Sequence, residues 1–296
     1  MRLKLWFLET RPQFLILSVV LAFLGTSIAW YDGYFHLGYA LLAGCGLLLT
    51  HISVNTLNVY FDYRSGVDLA TRRTPFSGGS GILPAALLTP GQVFWLGTSS
   101  FLLAMVIGVF FILVKGWLLL PLLLLAAVCV LFYTPVILKM PWPEWVAGLG
   151  LGVLPILGLF FVQAGQYTWH AVIAAVPSGI LVHNLLLLNE FPDAEADSRA
   201  GRRTLPIIMG GAKSGLIYAA FTLAVYLWII GWVIVRVMPA FCLISLLTFP
   251  FALKAIKGSR KHQDMAQLVP AMGSNVLVVL VTQLLLGIGY ILAGII

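Results

Sequence analysis

The sequence predicts an all-α, polytopic membrane protein, and three observations carry that prediction. Of 296 residues, 61% are hydrophobic and only 9% are charged, with a mean hydropathy of +1.03. No water-soluble core of this size hides that much apolar surface. The apolar residues fall into nine runs of about 18–25 residues, each long enough to cross a hydrocarbon layer of about 30 Å as a helix. Alternating strand patterns are absent, which excludes a transmembrane β-barrel.

The nine runs cover 13–31, 36–60, 93–114, 117–138, 145–163, 170–190, 214–235, 239–256 and 269–294. The first follows Arg2, Lys4 and Arg11 as a signal peptide would, but it is too long and lacks a small-x-small cleavage site, so it is expected to be retained. The second ends in an acidic segment and is followed by a long polar loop at 61–92. The run at 145–163 carries Gly148, Gly150 and Gly152, which allow close helix contact. The run at 170–190 ends in a second acidic segment, with the second long polar loop at 191–213. No Ser/Pro-rich linker or low-complexity tract intervenes, so residues 1–296 are expected to form a single transmembrane domain. Cys45, Cys129 and Cys242 all lie in apolar runs without a CxxC pair, and no disulfide framework or zinc site is implied.

Charge orients the bundle. With nine spans, 15 of the 17 Lys and Arg residues fall on the side of the N-terminus, and only Lys115 and Arg236 on the other. Cytoplasmic loops hold such an excess, so the N-terminus and both acidic segments are expected in the cytoplasm and the C-terminus outside, as in a cell (inner) membrane protein. The net charge of +7 thus belongs mainly to one surface, where orientation and attraction to the lipid bilayer account for it without nucleic acid.

The acidic segments are Asn58-Val-Tyr-Phe-Asp62-Tyr-Arg-Ser-Gly-Val-Asp68 and Asn189-Glu190-Phe-Pro-Asp193-Ala-Glu195-Ala-Asp197, which hold six of the ten carboxylates of the chain. Residues four apart share a helix face, so Asn58 stacks with Asp62, and Asn189 with Asp193 and Asp197, while Glu195 points elsewhere. Gly66 offers a break that swings Asp68 back on a loop. Carboxylates and amide oxygens facing one cavity repel unless cations lie between them, and hard oxygen ligands suit Mg2+. Magnesium usually brings phosphate, and Arg64, Arg72, Arg73, Lys139, Arg199, Arg202 and Arg203 fit a diphosphate. Backbone N–H groups of Pro75-Phe-Ser77-Gly78-Gly79-Ser80-Gly81 could also meet an anion, although a flexible turn explains the same glycines. His51, His183, Asn55 and Asn184 are polar at membrane depth, where function and interhelical hydrogen bonding compete as explanations. Salt bridges with the neighbouring arginines, or a cation pathway in a carrier, are the other readings of the acidic segments.

With these motifs, and with Asp193, Asp197 and Gly201 followed by Arg202-Arg203-Thr204-Leu205-Pro206, the chain resembles the UbiA superfamily of intramembrane prenyltransferases. Arg11-Pro12, Tyr133-Thr134-Pro135, Leu138-Lys139 with Glu144, Phe161-Val-Gln163-Ala-Gly165 and the DYxxGxD spacing of Asp62 to Asp68 are similar to the MenA-type branch, which prenylates 1,4-dihydroxy-2-naphthoate. The chain departs from many members in having Val59, where they have Asp after the first-motif Asn. The resemblance implies a nine-helix barrel with a cytoplasmic cap. It also implies Mg2+ on Asn58, Asp62, Asp68, Asp193 and Asp197, the four aspartates being catalytic. An allylic prenyl diphosphate would be gripped by Asn58, Arg64, Arg72, Lys139, Arg202 and Arg203. An aromatic acceptor would be alkylated beside Tyr60, Tyr63, Tyr133 and Asn189, 4-hydroxybenzoate, another phenol or a glycerol lipid being the alternatives.

Overall fold

A computed structural model describes residues 2–71 and 73–296, and these form helices with no strand among the described residues. In chain order they are α1 (Arg2–Glu9), α2 (Pro12–Tyr31), α3 (Leu37–Ser65), α4 (Val67–Ala70), α5 (Pro90–Lys115), α6 (Leu120–Leu131) and α7 (Glu144–Gly148). There follow α8 (Leu154–Ala164), α9 (Trp169–Asn189), α10 (Ala194–Arg199), α11 (Leu205–Met209), α12 (Gly211–Ile234), α13 (Phe249–Ser259) and α14 (Met265–Ile295). Eight segments are long and apolar enough to cross a membrane: α2, α3, α5, the rod Glu144–Ala164, α9, α12, the rod Ala240–Ser259 and α14.

The fourth run is shorter than expected. Trp117–Leu131 is an apolar helix that stops before Pro135 instead of continuing to 138. Proline disfavours helical geometry in the residue before it, and the chain closes into turns there, with the Ile137 N–H donating to Phe132 O at 2.9 Å. The second run is longer than expected, because nothing stops α3 before Gly66, whose φ of 82° ends it at Ser65.

In the rod Glu144–Ala164, residues Leu149–Val153 form a widened π turn between α7 and α8. Pro155 has no N–H to give the preceding turn and its ring needs space, which a π turn supplies. Close contact with α9 occurs at the expected glycines. A Cβ on Gly148 would lie 2.5 Å from Gly179 O, and one on Gly152 2.6 Å from Ser178 O.

The two ends of the bundle are packed differently. Leu24 and Ile28 of α2, Phe160 and Phe161 of α8, Ala174 of α9, Ile229 of α12 and Tyr290 of α14 fill one end as a buried core. At the other end α2, α3, α9 and α14, with the region from α6 to α7, surround a cavity of about 260 Å³. The segment after α4 lies beside that cavity, pinned by Ile82, Leu83 and Leu88, which bury against Val59 of α3 and Val93 of α5.

Candidate active site

One stripe of α3 faces the cavity. His51, Asn55, Asn58 and Asp62, spaced by four, three and four residues, all line it, as residues on one helical face do. Asn58 Nδ2 donates to Thr134 Oγ1 at 3.1 Å, which spends the amide on a neighbour and turns its carbonyl oxygen to other use. Tyr60, Tyr63 and Arg64, one or two positions off Asn58 and Asp62, point away. Tyr60 packs against Phe94 with ring centroids 5.1 Å apart and the planes tilted by 51°, and accepts a 3.2 Å hydrogen bond from Arg64 Nη1. Tyr60 and Tyr63 pack against the Val59 cluster. None of Tyr60, Tyr63 and Arg64 lines the cavity, because each helical residue advances the side chain by about 100°. The same geometry explains Val59: its position is fully buried against Ile82 and Leu83, turned from the cavity.

Gly66 provides the expected break, but Asp68 then sits on the one-turn helix α4 and not on a loop. It is 5% exposed and lines the cavity. Gly79, at φ +69°, closes over it so tightly that a Cβ there would lie 2.5 Å from Asp68 Oδ1. The glycine-rich stretch therefore makes room for a carboxylate, and Ser77, Gly78 and Gly79 join the cavity wall.

The second acidic segment is bent where a continuous stack was expected. α9 stops at Asn189, Pro192 follows, and Asp193 caps α10, its N–H donating to Glu190 O at 3.2 Å. Asn189, Glu190, Asp193 and Asp197 nonetheless all line the cavity. Glu195 points outward to Arg199, both side chains exposed, as the four-residue spacing predicts.

Arg202 joins the two segments. Its Nη1 donates to Asp197 Oδ1 at 2.7 Å and its Nη2 to Asp62 Oδ1. Burial disfavours its charge, but Asp62 and Asp197 outweigh that and push its pKa up. Lys139 and Arg203, expected as diphosphate ligands, are exposed and off the cavity wall. Arg203 is held by its backbone, its N–H donating to Leu138 O at 2.9 Å. Arg72 lies outside the described residues. Tyr133 lines the cavity, its hydroxyl buried and unpartnered.

The structure adds residues that the motif spacing left without a role. Arg11, in the left-handed region at φ 56°, lines both this cavity and a neighbouring one of about 340 Å³ that also meets Arg73. Glu9 is fully buried, and burial pushes its pKa up to about 7. Glu144, also fully buried, accepts the Leu205 N–H at 2.6 Å and so fixes the segment that carries Arg202. The signal for Glu9 and Glu144 was their rarity: carboxylates in so apolar a chain are costly to keep.

Burial, reinforced by the charge of Asp197, pushes the Asp193 carboxyl up to about 7. Burial also raises Asp68 and Asp197. Asp68 Oδ2, Asn189 Oδ1 and Asp193 Oδ1 are buried without a hydrogen-bond partner. Hard oxygen donors left unpartnered in an acidic cavity fit a magnesium ion. Among the described residues no three His, Cys, Asp or Glu side chains converge as a ready metal cage. Magnesium needs none when held by one or two carboxylates and substrate phosphates.

Comparison with known proteins agrees with this architecture. Residues 17–293 match the UbiA prenyltransferase family. The chain is 28% identical over 274 residues to 1,4-dihydroxy-2-naphthoate octaprenyltransferase of Bacillus subtilis, covering 92% of this chain and 86% of that one. It is 26% identical over 290 residues to the protein of that description from Mycobacterium tuberculosis, covering 93% of each. A UbiA homolog from Aeropyrum pernix shares the fold with a TM-score of 0.68 at 15% identity, over 95% of this chain and 98% of that one. A homolog from Archaeoglobus fulgidus, bound to DMAPP and Mg2+, gives 0.64 at 13% identity, over 97% and 98%. With its membrane-spanning helices and two facing acidic motifs, the chain belongs to the UbiA prenyltransferase family and is a multi-pass membrane prenyltransferase.

Proposed function

We propose that this enzyme transfers a prenyl group from an allylic polyprenyl diphosphate to 1,4-dihydroxy-2-naphthoate, in menaquinone biosynthesis. One observation carries the diphosphate half of the reading: Asp62 of the first motif and Asp197 of the second meet across one cavity on a single guanidinium. The acceptor half is supported by the relatives described as 1,4-dihydroxy-2-naphthoate octaprenyltransferases. It is supported too by the DYxxGxD spacing from Asp62 to Asp68.

Asn58, Asp62, Asp68, Asp193 and Asp197 would hold magnesium, which when bound neutralises charge on the departing diphosphate. Arg202, Arg11 and Arg73 would bind that diphosphate directly, by charge-assisted hydrogen bonds. Arg64, Lys139 and Arg203 are exposed and would draw the anion toward the cavity mouth instead of gripping it. The apolar wall of Leu17, Leu47, Val130, Val182 and Val279 would take the prenyl chain and keep water from the allylic cation. Tyr133 would offer its ring face to that cation, with Asn189 on the same wall. The distribution of basic residues supports a cytoplasmic N-terminus and active site, an outside C-terminus and a cell-membrane location. One transmembrane domain over 1–296 is the matching organisation.

Purified protein supplied with magnesium, a prenyl diphosphate and a panel of acceptors, with products read by mass spectrometry, tests this. The naphthoate should be prenylated with loss of carbon dioxide, in preference to 4-hydroxybenzoate. Prenylated 4-hydroxybenzoate alone, or reaction only with a glycerol lipid, overturns the acceptor assignment.

A further inference from the structure

Trp142 lies between Pro141 and Pro143 in the segment joining α6 to α7, with a backbone φ of 61° that a bulky side chain rarely adopts. Such a conformation persists only where the surroundings over-determine it, and two hydrogen bonds do so here. The Trp142 backbone N–H donates to Arg203 O at 3.2 Å, and its indole Nε1–H donates to His183 Nε2 of α9 at 2.8 Å. The indole also stacks on Phe221 of α12, with ring centroids 6.3 Å apart and planes 27° from parallel.

The first of these bonds belongs to a clasp between two segments. The Arg203 N–H donates to Leu138 O at 2.9 Å and the Leu205 N–H to Glu144 Oε1 at 2.6 Å, so residues 203–205 are tied to residues 138–144 at three points. Arg202 immediately precedes that clasp, and its guanidinium is the group that meets both Asp62 and Asp197.

The second bond ties the clasp to the bundle interior. An indole N–H can only donate, so His183 Nε2 accepts, and the ring proton stands on Nδ1, which donates to Asn184 Oδ1 at 3.0 Å. Asn184 spends its amide hydrogens on Tyr218 O at 3.0 Å and Thr222 Oγ1 at 2.9 Å, both on α12. Its backbone carbonyl accepts from Asn275 Nδ2 of α14 at 3.2 Å. His183, Asn184, Thr222 and Asn275 are each at most 3% exposed. A buried network whose members are satisfied is rigid and specifies one arrangement. Neither Trp142 nor His183 lines the cavity, so their influence on a substrate runs through other residues.

We propose that Trp142 and His183 are positioning residues of the active site: their hydrogen bond, acting through the clasp, sets Arg202 where it spans the two acidic motifs and receives the diphosphate. The proposal rests on the reading above that Arg202 binds that diphosphate. Anchoring at the membrane interface is the other common use of a tryptophan. Anchoring needs the ring, whereas positioning needs the N–H that reaches the buried imidazole.

Calorimetric titration of the purified protein in detergent with magnesium geranyl diphosphate tests this, and reads binding without turnover. Arg202→Gln should raise Kd by about tenfold or more. If it does not, the diphosphate reading of Arg202 fails and this proposal with it. Trp142→Phe keeps an aromatic ring but loses the indole N–H, and should raise Kd by about 3–10-fold, the worth of one hydrogen bond. His183→Leu should match it, and His183→Gln, whose side-chain oxygen restores an acceptor, should recover most of the loss. In an Arg202→Gln background Trp142→Phe should add less than about twofold, because the residue it positions is already gone. A general loosening of the fold would instead weaken binding equally in both backgrounds. Where Arg202→Gln weakens binding as expected, three results overturn this proposal and leave the diphosphate reading standing. They are a Trp142→Phe Kd within about twofold of the unmodified protein, an undiminished Trp142→Phe effect in the Arg202→Gln background, and His183→Gln binding no better than His183→Leu. Thermal unfolding checks that each variant folds. Should Trp142→Phe not fold, His183→Leu is held to the same criteria; if neither folds, the pair serves the fold alone and the proposal is overturned.

Discussion

Gly79→Ala tests whether the glycine-rich stretch exists to admit the Asp68 carboxylate. The added Cβ would meet Asp68 Oδ1 at 2.5 Å and Oδ2 at 2.7 Å, while ordinary contact begins at 3.4 Å, so the carboxylate must retreat by about 0.9 Å. A second cost is conformational: alanine in the left-handed region loses about 1–2 kcal/mol. Gly33 separates the two effects, since it has φ +87° but nothing within 4 Å of its Cβ position. Gly33→Ala should therefore lose a similar amount of stability in thermal unfolding, with its turnover intact. Gly79→Ala should in addition lose about 100-fold in magnesium-dependent turnover, the usual consequence of misplacing a reacting group by about 1 Å. If the two variants lose activity equally, or if Gly79→Ala turns over within about threefold of Gly33→Ala, then Asp68 is not positioned by this contact or is not needed.

Asp62→Ala and Asp193→Ala should each abolish turnover in protein that still inserts and folds, whereas Glu195→Gln, exposed beside Arg199, should retain it; equal losses at 193 and 195 would refute the site. Arg202→Gln should raise KM for the prenyl diphosphate by about tenfold or more and leave KM for the acceptor nearly unchanged, and steady-state kinetics with each substrate varied decides. The Asp193 carboxyl, pushed up by burial to about 7 from 3.8, keeps its proton in the fold where the unfolded chain releases it. Metal-free stability should then be highest below about pH 4 to 5 as far as this group is concerned, and should fall as pH rises toward 7. Asp68 and Asp197 act in the same direction. Magnesium with diphosphate should restore more of the melting temperature at pH 8 than at pH 6, and thermal scans in detergent would show the reverse if these carboxyls were structural salt-bridge partners.

Legibility in the sequence followed the strength of the physical constraint. Spans were readable because bilayer thickness sets their length, and the one that fell short, Trp117–Leu131, was cut off by the chain turning before Pro135, which hydropathy does not weigh. On α3, periodicity brought Asn58 and Asp62 together, whereas Tyr60, Tyr63 and Arg64, drawn in by proximity in sequence, are turned off the cavity wall by the same periodicity. Charge and the motif resemblance suggested Lys139 and Arg203; whether a cation faces a cavity or solvent depends on tertiary packing, and both are exposed. Arg11 and Glu144 reach the site from segments distant in sequence, so only the folded chain brings them to it.

The bridge from Arg202 to Asp62 and Asp197 also governs how the site fills. A guanidinium that already holds both carboxylates is a tenant that must be exchanged. Neither incoming partner does this well alone, since a bare cation meets the positive charge of Arg202 and a bare diphosphate meets the two aspartates. Arriving together they would satisfy both at once, Asp62 and Asp197 holding the cation and Arg202 the anion. Under the proposed function, the ion pair would act as a coincidence gate, favouring a diphosphate that arrives with its metal over either ion alone.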